Sequence, residues 1–440
     1  MSSAPVSSAA AVASIGVDFG TSNTVVALVA EDGSVETLRF EHGGTRHSVY
    51  ATALCFQQER AGLPPSAEGG PWAIERLVEA HSAVRFVQSF KTFAASAAFQ
   101  TTQIFQQRYT FQDLLAAFLR TLTRHAGPRL DLGAPRVVVG RPVTFAGANP
   151  DEALAMERYR DAFGRLGAAE AHYVFEPVGA AFSYGRRLDR DATVLVADFG
   201  GGTSDFSIIR FARHGGRLKA EALGSSGIGV AGDTFDARIV ERVVAPRLGR
   251  GGSYRSFGKV LPLPTHYYTR LTRWNELAMM KGSGDLRELR ELARSALEPE
   301  PLEDFITLVE MDLGFSLYRS VSAAKVALSA EDQVDFRFAD GGVEIGSTIR
   351  RADFEQWIAD DLTRISATVD RVLAETRLAP AAIDRVFLTG GTSFVPAVQA
   401  LFADRFGVDK LVSADQFEAI ATGLALIGAS EEPARWAVAA

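Results

Sequence analysis

A chain of 440 residues exceeds what one hydrophobic core usually supports, so two or more lobes are expected. Hydrophobic residues at 47% and charged residues at 22% suit an ordinary soluble globular protein, and a mild net charge of −7 without a basic stripe argues against a nucleic-acid partner. The single cysteine, Cys55, excludes an intramolecular disulfide and a cysteine-clustered metal site, and makes a reducing cytoplasm the expected compartment.

The opening MSSAPVSSAAAVA lacks the basic n-region of a secretory signal and reads as a short disordered leader over 1–14. No run of about 18 apolar residues follows, so neither a transmembrane helix nor a membrane partner is expected. Ile15 to Val29 (IGVDFGTSNTVVALV) is an apolar strand carrying Asp18 to its end, a turn of Gly20, Thr21, Ser22 and Asn23, and a second apolar strand. Ser34 to Phe56 predicts further strands around an HGGTRHS turn, and Ala61 to Pro71 an exposed loop. A helix from Ala73 leads to RFVQSFK, where Lys91 stands between apolar residues and is expected, on residue type alone, to be solvated. Phe111 to Arg124 has the apolar spacing of one helical face. Arg136 to Val143 predicts a buried strand, and Asp151 to Leu166 a helix whose N-terminal acids suit its dipole. His172 to Tyr184 passes from strand to helix with Pro177 in the first turn, which puts Glu176 at the edge where open α/β sheets bind ligands.

Val194 to Arg210 (VLVADFGGGTSDFSIIR) repeats the first pattern: strand, glycine turn, strand. Its glycines, Gly200, Gly201 and Gly202, let backbone N–H groups approach an anion, and Thr203 and Ser204 add hydroxyl donors for a polyphosphate. Asp198 and Asp205 flank the turn, where carboxylates hold the water shell of Mg²⁺ most usefully. An ordinary hairpin would also contain glycine and aspartate, but the two DFG turns, 180 residues apart, argue for two similar domains across a cleft. Gly227, Gly229 and Gly232 spell G-x-G-x-x-G, yet they follow a hairpin and precede a helical pattern, so a loop approaching the same nucleotide as these turns is expected rather than an NAD fingerprint. Arg247 to Asp312 is the least readable stretch. Its DLRELRELARSALE predicts a solvated helix with an apolar edge of Leu286, Leu289 and Leu292, and its aromatic and charged content suggests partner contact. Leu317 to Leu328 is helical and contains Lys325. Val386 to Gln399 predicts a strand, then Gly390-Gly391 and Ser393, then a helix from about Pro396 with a hydroxyl cap before it.

These segments resemble the actin, sugar kinase and Hsp70 ATPase superfamily, and within it the Hsp70 nucleotide-binding domain. VDFGTSNTVVAL is similar to that family's first phosphate loop, FEPVGAAFSYG to its EPTAAALAYG segment, and ADFGGGTSDFSI to its DLGGGTFDVSI loop. AGDTFDARIV resembles GGEDFDNRLV, and LTGGTSFVPAVQALF the adenosine loop GGSTRIPKVQ. The resemblance implies an α/β, two-lobed actin-like ATPase fold of duplicated ribonuclease H-like domains, with lobe I over 15–188 and lobe II over 189–440, a helical subdomain being inserted at about 233–315. It implies ATP or ADP with Mg²⁺ as cofactors. Asp18, Asp198 and Asp205 would face the metal through water, and Gly20, Thr21, Ser22, Asn23, Gly200, Gly201, Gly202 and Thr203 would hold phosphates. Lys91 would position the attacking water and Glu176 would orient or partly deprotonate it. Gly232, Lys325, Gly390, Gly391 and Ser393 would surround the nucleoside.

The segment SAAKV around Lys325 departs from the family's ERAKR-like helix and implies fewer adenine contacts. With the chain ending at Ala440, neither the linker nor the peptide-binding domain of a full Hsp70 is expected, as in the short YegD-like group of ATPase domains. The implied function is slow Mg-ATP hydrolysis with lobe closure as a nucleotide switch in chaperone-like activity toward an unknown protein partner. The alternatives are a small-molecule kinase of the same superfamily, a nucleotide-dependent filament or scaffold, and a degenerate ATP sensor.

Overall fold

The β-branched runs ahead of the two DFG turns become the central strands of two sheets. The computed structural model describes residues 11–60, 62–80, 83–133, 136–147, 149–214, 217–281, 284–413 and 418–438. They divide into a first unit of Met1–Gly229, Ala367–Ser393 and Phe402–Ala440 and a second of Val230–Ser366 and Phe394–Leu401.

The first unit holds both sheets. In one, β1 (Val12–Phe19), β2 (Asn23–Ala30) and β3 (Val35–Thr37) form an antiparallel meander, while β4 (Val137–Arg141) and β5 (His172–Phe175) add in parallel on the other side of β1. The other is built from β6 (Ala192–Phe199), β7 (Ser204–His214), β8 (Arg217–Ile228), β9 (Arg385–Thr389) and β10 (Leu411–Ser413). Its order, β10-β9-β6-β7-β8, repeats the path β5-β4-β1-β2-β3 in both pairing and direction, the first sheet carrying in addition Tyr50–Ala51 against β2. Within this common register Asp18 faces Val25, whereas Asp198 faces Asp205.

Helices complete the frame. Phe111–Ala126 (α1) starts with a capping box, the Thr110 hydroxyl accepting from Asp113 N at 3.2 Å while Asp113 Oδ2 accepts from Thr110 N at 2.8 Å. Its buried face, including Leu114, Leu115, Phe118 and Leu122, joins Phe19, Phe90 and Tyr159 in the core beside β1. In α2 (Glu152–Gly164) Asp151 is the cap and accepts from Leu154 N at 2.9 Å. After the last strand of each sheet comes one helix, α3 (Glu176–Gly185) or α6 (Ala419–Gly428). These two pack directly, and a Cβ at Gly423 would lie 1.6 Å from the Gly179 carbonyl oxygen, so bare backbone is required at the contact.

The second unit contains α4 (Gly232–Ile239), a hairpin of Ser253–Ser256 and Lys259–Pro262, helices including Asp285–Ala293, α5 (Gly314–Leu328), and a hairpin of Gln333–Asp340 with Val343–Arg350. In the charged helix Leu286 and Leu289 are buried and Leu292 half-buried, as the leucine spacing predicts. Among the described residues no helix is long and apolar enough to cross a membrane.

Several boundaries differ from the sequence reading. The first strand begins at Val12, inside the expected leader, whose residues 1–10 lie outside the described ones. The helix expected from Ala73 starts at Gly70, with Pro71 in its first turn where a missing N–H does no harm. The helix Pro396–Phe406 follows Val395, and the Ser393 hydroxyl donates to the Gly390 carbonyl at 2.6 Å rather than capping it. Gly227 lies within β8 and Gly232 opens α4, so the G-x-G-x-x-G run is a strand end passing into a helix and not the first turn of a βαβ unit.

Candidate functional site

The two glycine turns close with the same hydrogen bond. Gly20 N donates to the Asn23 carbonyl at 2.9 Å, and Gly200 N donates to the Thr203 carbonyl at 2.9 Å. Thr21, Ser22, Gly201 and Gly202 thus occupy equivalent turn positions. The turns face each other, since a Cβ placed on Gly202 would lie 3.3 Å from Thr21 Oγ1. The third glycine segment joins them: Gly390 has φ of +82°, and a Cβ there would stand 2.1 Å from the Phe199 carbonyl oxygen, at the base of the second turn. Thr392 reaches the Gly200 carbonyl with its hydroxyl at 3.5 Å, while Gly391 faces open space.

Lys91 is not solvated. It sits in a short 3₁₀ turn, Phe90–Phe93, entered through Ser89 at φ 52°, and Phe90 anchors that turn in the core. Its side chain is 7% exposed and its Nζ lies 2.7 Å from Glu176 Oε1, itself on a 7% exposed side chain. Nζ also stands 5.8 Å from the Phe19 ring. Burial works against the Lys91 ammonium, but the charge and hydrogen bond of Glu176, with Asp18 behind it, outweigh burial and raise its pKa. Glu176 is the first residue of α3, where the strand-to-helix change and Pro177 had located it.

Three aspartates surround this pair electrostatically. Asp18, at the end of β1 and half-buried, is pushed up to about 8 by burial and then by Glu176, against the pull of Lys91. Burial, followed by Glu176, Asp18 and Asp205, raises Asp198 well above the usual carboxylate range. Asp205 is pushed up to about 7, by burial first and Glu176 second, with Thr203 and the Thr144 amide pulling the other way. Its Oδ1 accepts from Val143 N at 2.9 Å and Thr144 N at 3.2 Å. Its Oδ2 is buried without a hydrogen-bond donor among the described residues. A cluster of acids opposed by one ammonium, with an orphaned carboxylate oxygen, fits a hard divalent cation with oxygen ligands.

Gly232 and Lys325 belong to the second unit. There the Lys325 ammonium lies 2.9 Å from Asp236 Oδ1 and donates to the Gly232 carbonyl at 3.1 Å. Asp233 beside them is pushed up to about 6, chiefly by burial and then by Asp236. Lys325 is therefore engaged within its own unit.

Sequence reasoning missed what Gly227 does in the site. A Cβ there would meet Asp205 Oδ1 at 2.3 Å and Thr144 N at 3.0 Å, so the glycine leaves room for the carboxylate and the backbone that holds it. The G-x-G-x-x-G run reads as a loop approaching the nucleotide, but nothing in its residue types announces the contact with Asp205. Val143 and Thr144 contribute through backbone amides, which no residue type announces.

A strand-for-strand duplicated α/β frame with facing glycine turns at the central strands defines the actin-like ATPase fold built on ribonuclease H-like sheets. A family profile described as Hsp70 protein matches residues 81–247 and 315–436. The chain belongs to the Hsp70 family. The DnaK chaperone protein of Deinococcus deserti is 26% identical over 427 residues, covering 94% of this chain and 58% of its own length. The Thermotoga petrophila DnaK is 24% identical over 415 residues with the same coverages. The chloroplastic stromal 70 kDa heat shock-related protein of Pisum sativum is 27% identical over 320 residues, 72% of this chain and 37% of that protein. The chain thus spans 58% of the length of the DnaK relatives. The profile passes over residues 248–314, which nearly coincide with the stretch least readable in sequence.

Proposed function

We propose that this protein binds Mg-ATP and hydrolyses it slowly, as an ATPase of the Hsp70 family. The observation that carries the reading is the buried Lys91–Glu176 pair, 2.7 Å apart, set among three aspartates with raised pKa values. Asp18, Asp198 and Asp205 would hold Mg²⁺ through water, the orphaned Oδ2 of Asp205 among their oxygens. When bound, the ion supplies positive charge that neutralises the β- and γ-phosphates.

The chain's own groups do the rest. N–H groups and hydroxyls of Gly20–Asn23 and Gly200–Thr203 hold phosphate oxygens, and the loop of Gly390, Gly391 and Ser393 lies beside the nucleoside. Lys91, held charged by Glu176, donates to the attacking water while Glu176 accepts a hydrogen bond from it. Water adds to the γ-phosphorus as the bond to the β-phosphate oxygen breaks, giving ADP and phosphate. This is positioning and charge stabilisation, which phosphoryl transfer chiefly requires.

In this reading the sheet β1–β5 belongs to a lobe over 15–188 and β6–β10 to a lobe over 189–440, with a helical insertion at about 233–315. Closure of the lobes on nucleotide is the switch, read by a protein partner through the region Arg247 to Asp312, in the cytoplasm. The family resemblance also gives Gly232 and Lys325 a role toward the nucleoside. Family membership does not favour a small-molecule kinase.

Calorimetry with Mg-ATP and Mg-ADP, followed by single-turnover phosphate release, tests this. Wild type should bind both nucleotides and release phosphate slowly, Lys91→Ala should bind without release, and Asp198→Ala should lose Mg²⁺-dependent affinity. No nucleotide binding by the wild type refutes the reading.

A further inference from the structure

Arg141, the last residue of β4, follows three buried valines and Gly140 and is itself only 3% exposed. Its guanidinium lies 5.0 Å from the Phe145 ring and 5.1 Å from the Phe175 ring. Nε donates to the Pro142 carbonyl at 2.9 Å, and Nη2 donates to the Val143 carbonyl at 3.3 Å and to Glu152 Oε2 at 3.1 Å. The peptide groups that offer these carbonyls carry their N–H on the opposite edge. Those are the N–H groups of Val143 and Thr144, which donate to Asp205 Oδ1 at 2.9 and 3.2 Å.

We propose that Arg141 is a positioning residue for Asp205, acting through the two consecutive peptide groups between them. Each peptide is a rigid plane with its C=O toward a cation and its N–H toward a carboxylate, so each is polarised in the sense that strengthens its donor. Two such planes meeting on one oxygen fix Oδ1, and the close pass of Gly227 confines that oxygen from another side. Oδ2 is then left in a single orientation as the oxygen available to a ligand.

Glu152, on a side chain that is 48% exposed, is a partial partner for so deeply buried a guanidinium, and Asp205 supplies the remaining complement across the peptides. Arg141 joins β4 of the first sheet to β7 of the second, so the metal-facing carboxylate of one sheet is oriented from the other. The proposal rests on the reading of Asp205 as a residue that faces Mg²⁺.

The test compares ADP affinity, with Mg²⁺ and in EDTA, for wild type, Arg141→Met and Arg141→Lys. Arg141→Met should reduce the Mg²⁺-dependent gain in affinity about tenfold, the lower end for a residue supporting a metal-facing carboxylate, with the EDTA affinity unchanged. Arg141→Lys should lose about threefold, because one ammonium replaces the two-carbonyl fork. In an Asp205→Asn background Arg141→Met should have no further effect on the Mg²⁺ dependence. Equal losses with and without Mg²⁺, or an undiminished effect in that background, overturn the proposal. Should Arg141→Met not fold, Arg141→Lys carries the same comparisons.

If wild type binds no nucleotide, the functional reading fails separately. A double-mutant cycle on urea unfolding of the nucleotide-free chain then decides the positioning. Arg141→Met and Asp205→Asn should be coupled by about fivefold or more in the unfolding equilibrium, and additivity within about twofold overturns it.

Discussion

The aspartate cluster makes the nucleotide-free protein less stable as pH rises. Asp18 and Asp205, with folded pKa values of about 8 and about 7 against a reference of 3.8, keep protons in the native state that the unfolded chain has released. Their contribution to stability is complete below about pH 4 and is lost as pH rises through the folded values. Each proton held by the native state alone changes stability by about 1.4 kcal/mol per pH unit. Counting one such proton, the loss between pH 5 and 7 is about 2.7 kcal/mol. With an unfolding entropy of about 0.9 kcal/mol/K for a chain of 440 residues, Tm should fall by about 3 °C. Asp113 and Glu241, both lowered, are ionised in native and unfolded states over this window and add little. His125, lowered chiefly by burial, gives an opposite slope up to about pH 6.5. The quantity to measure is therefore the difference between wild type and Asp18→Asn or Asp205→Asn in scanning calorimetry without nucleotide. Each variant should lose about one proton's share of the slope seen in wild type, the other aspartates keeping theirs, and saturating Mg-ADP should flatten the wild-type slope. Identical slopes in wild type and both variants would refute the reasoning.

Gly390→Ala combines a left-handed φ with a 2.1 Å approach to the Phe199 carbonyl, so it should destabilise by about 3 kcal/mol in urea unfolding, whereas Gly391→Ala should stay within about 0.5 kcal/mol. Lys91→Met leaves Glu176 buried without its ammonium and should cost about 3–5 kcal/mol; adding Glu176→Gln should recover most of that stability while single-turnover phosphate release stays absent. Gly227→Ala drives a methyl against Asp205 Oδ1 at 2.3 Å and should raise the Mg²⁺ concentration needed for nucleotide binding about tenfold, read by titrating Mg²⁺ at fixed ADP.

The turns were legible because their chemistry is local: an apolar run, an aspartate, and glycines or hydroxyls within a few positions specify a hairpin wherever it lies. Glu176 was placed by the same means, from a strand giving way to a helix with proline in its first turn. The burial of Lys91 was not legible from its neighbours, since the carboxylate that holds it is 85 residues away in the chain. Nor could the reading find the Asp205 clamp, which consists of two backbone amides, a missing Cβ at Gly227 and an arginine behind them. In the stretch Arg247 to Asp312 the charged helix was legible from its leucine spacing, whereas the hairpin of Ser253–Ser256 and Lys259–Pro262 and the helices of six and seven residues, His266–Leu271 and Trp274–Met280, are too short to carry a period of their own.

A duplicated frame is by itself indifferent to which way round a molecule lies between its halves. One register position removes that indifference here. Opposite the strand-end aspartate, the first copy has Val25 and the second has Asp205, although the turns beyond them close with the same hydrogen bond. One half therefore has a valine packed in the core where the other has a carboxyl group, and a charged molecule touching both turns finds them unequal. The pseudo-symmetry supplies two grips, and a single aspartate gives them a polarity.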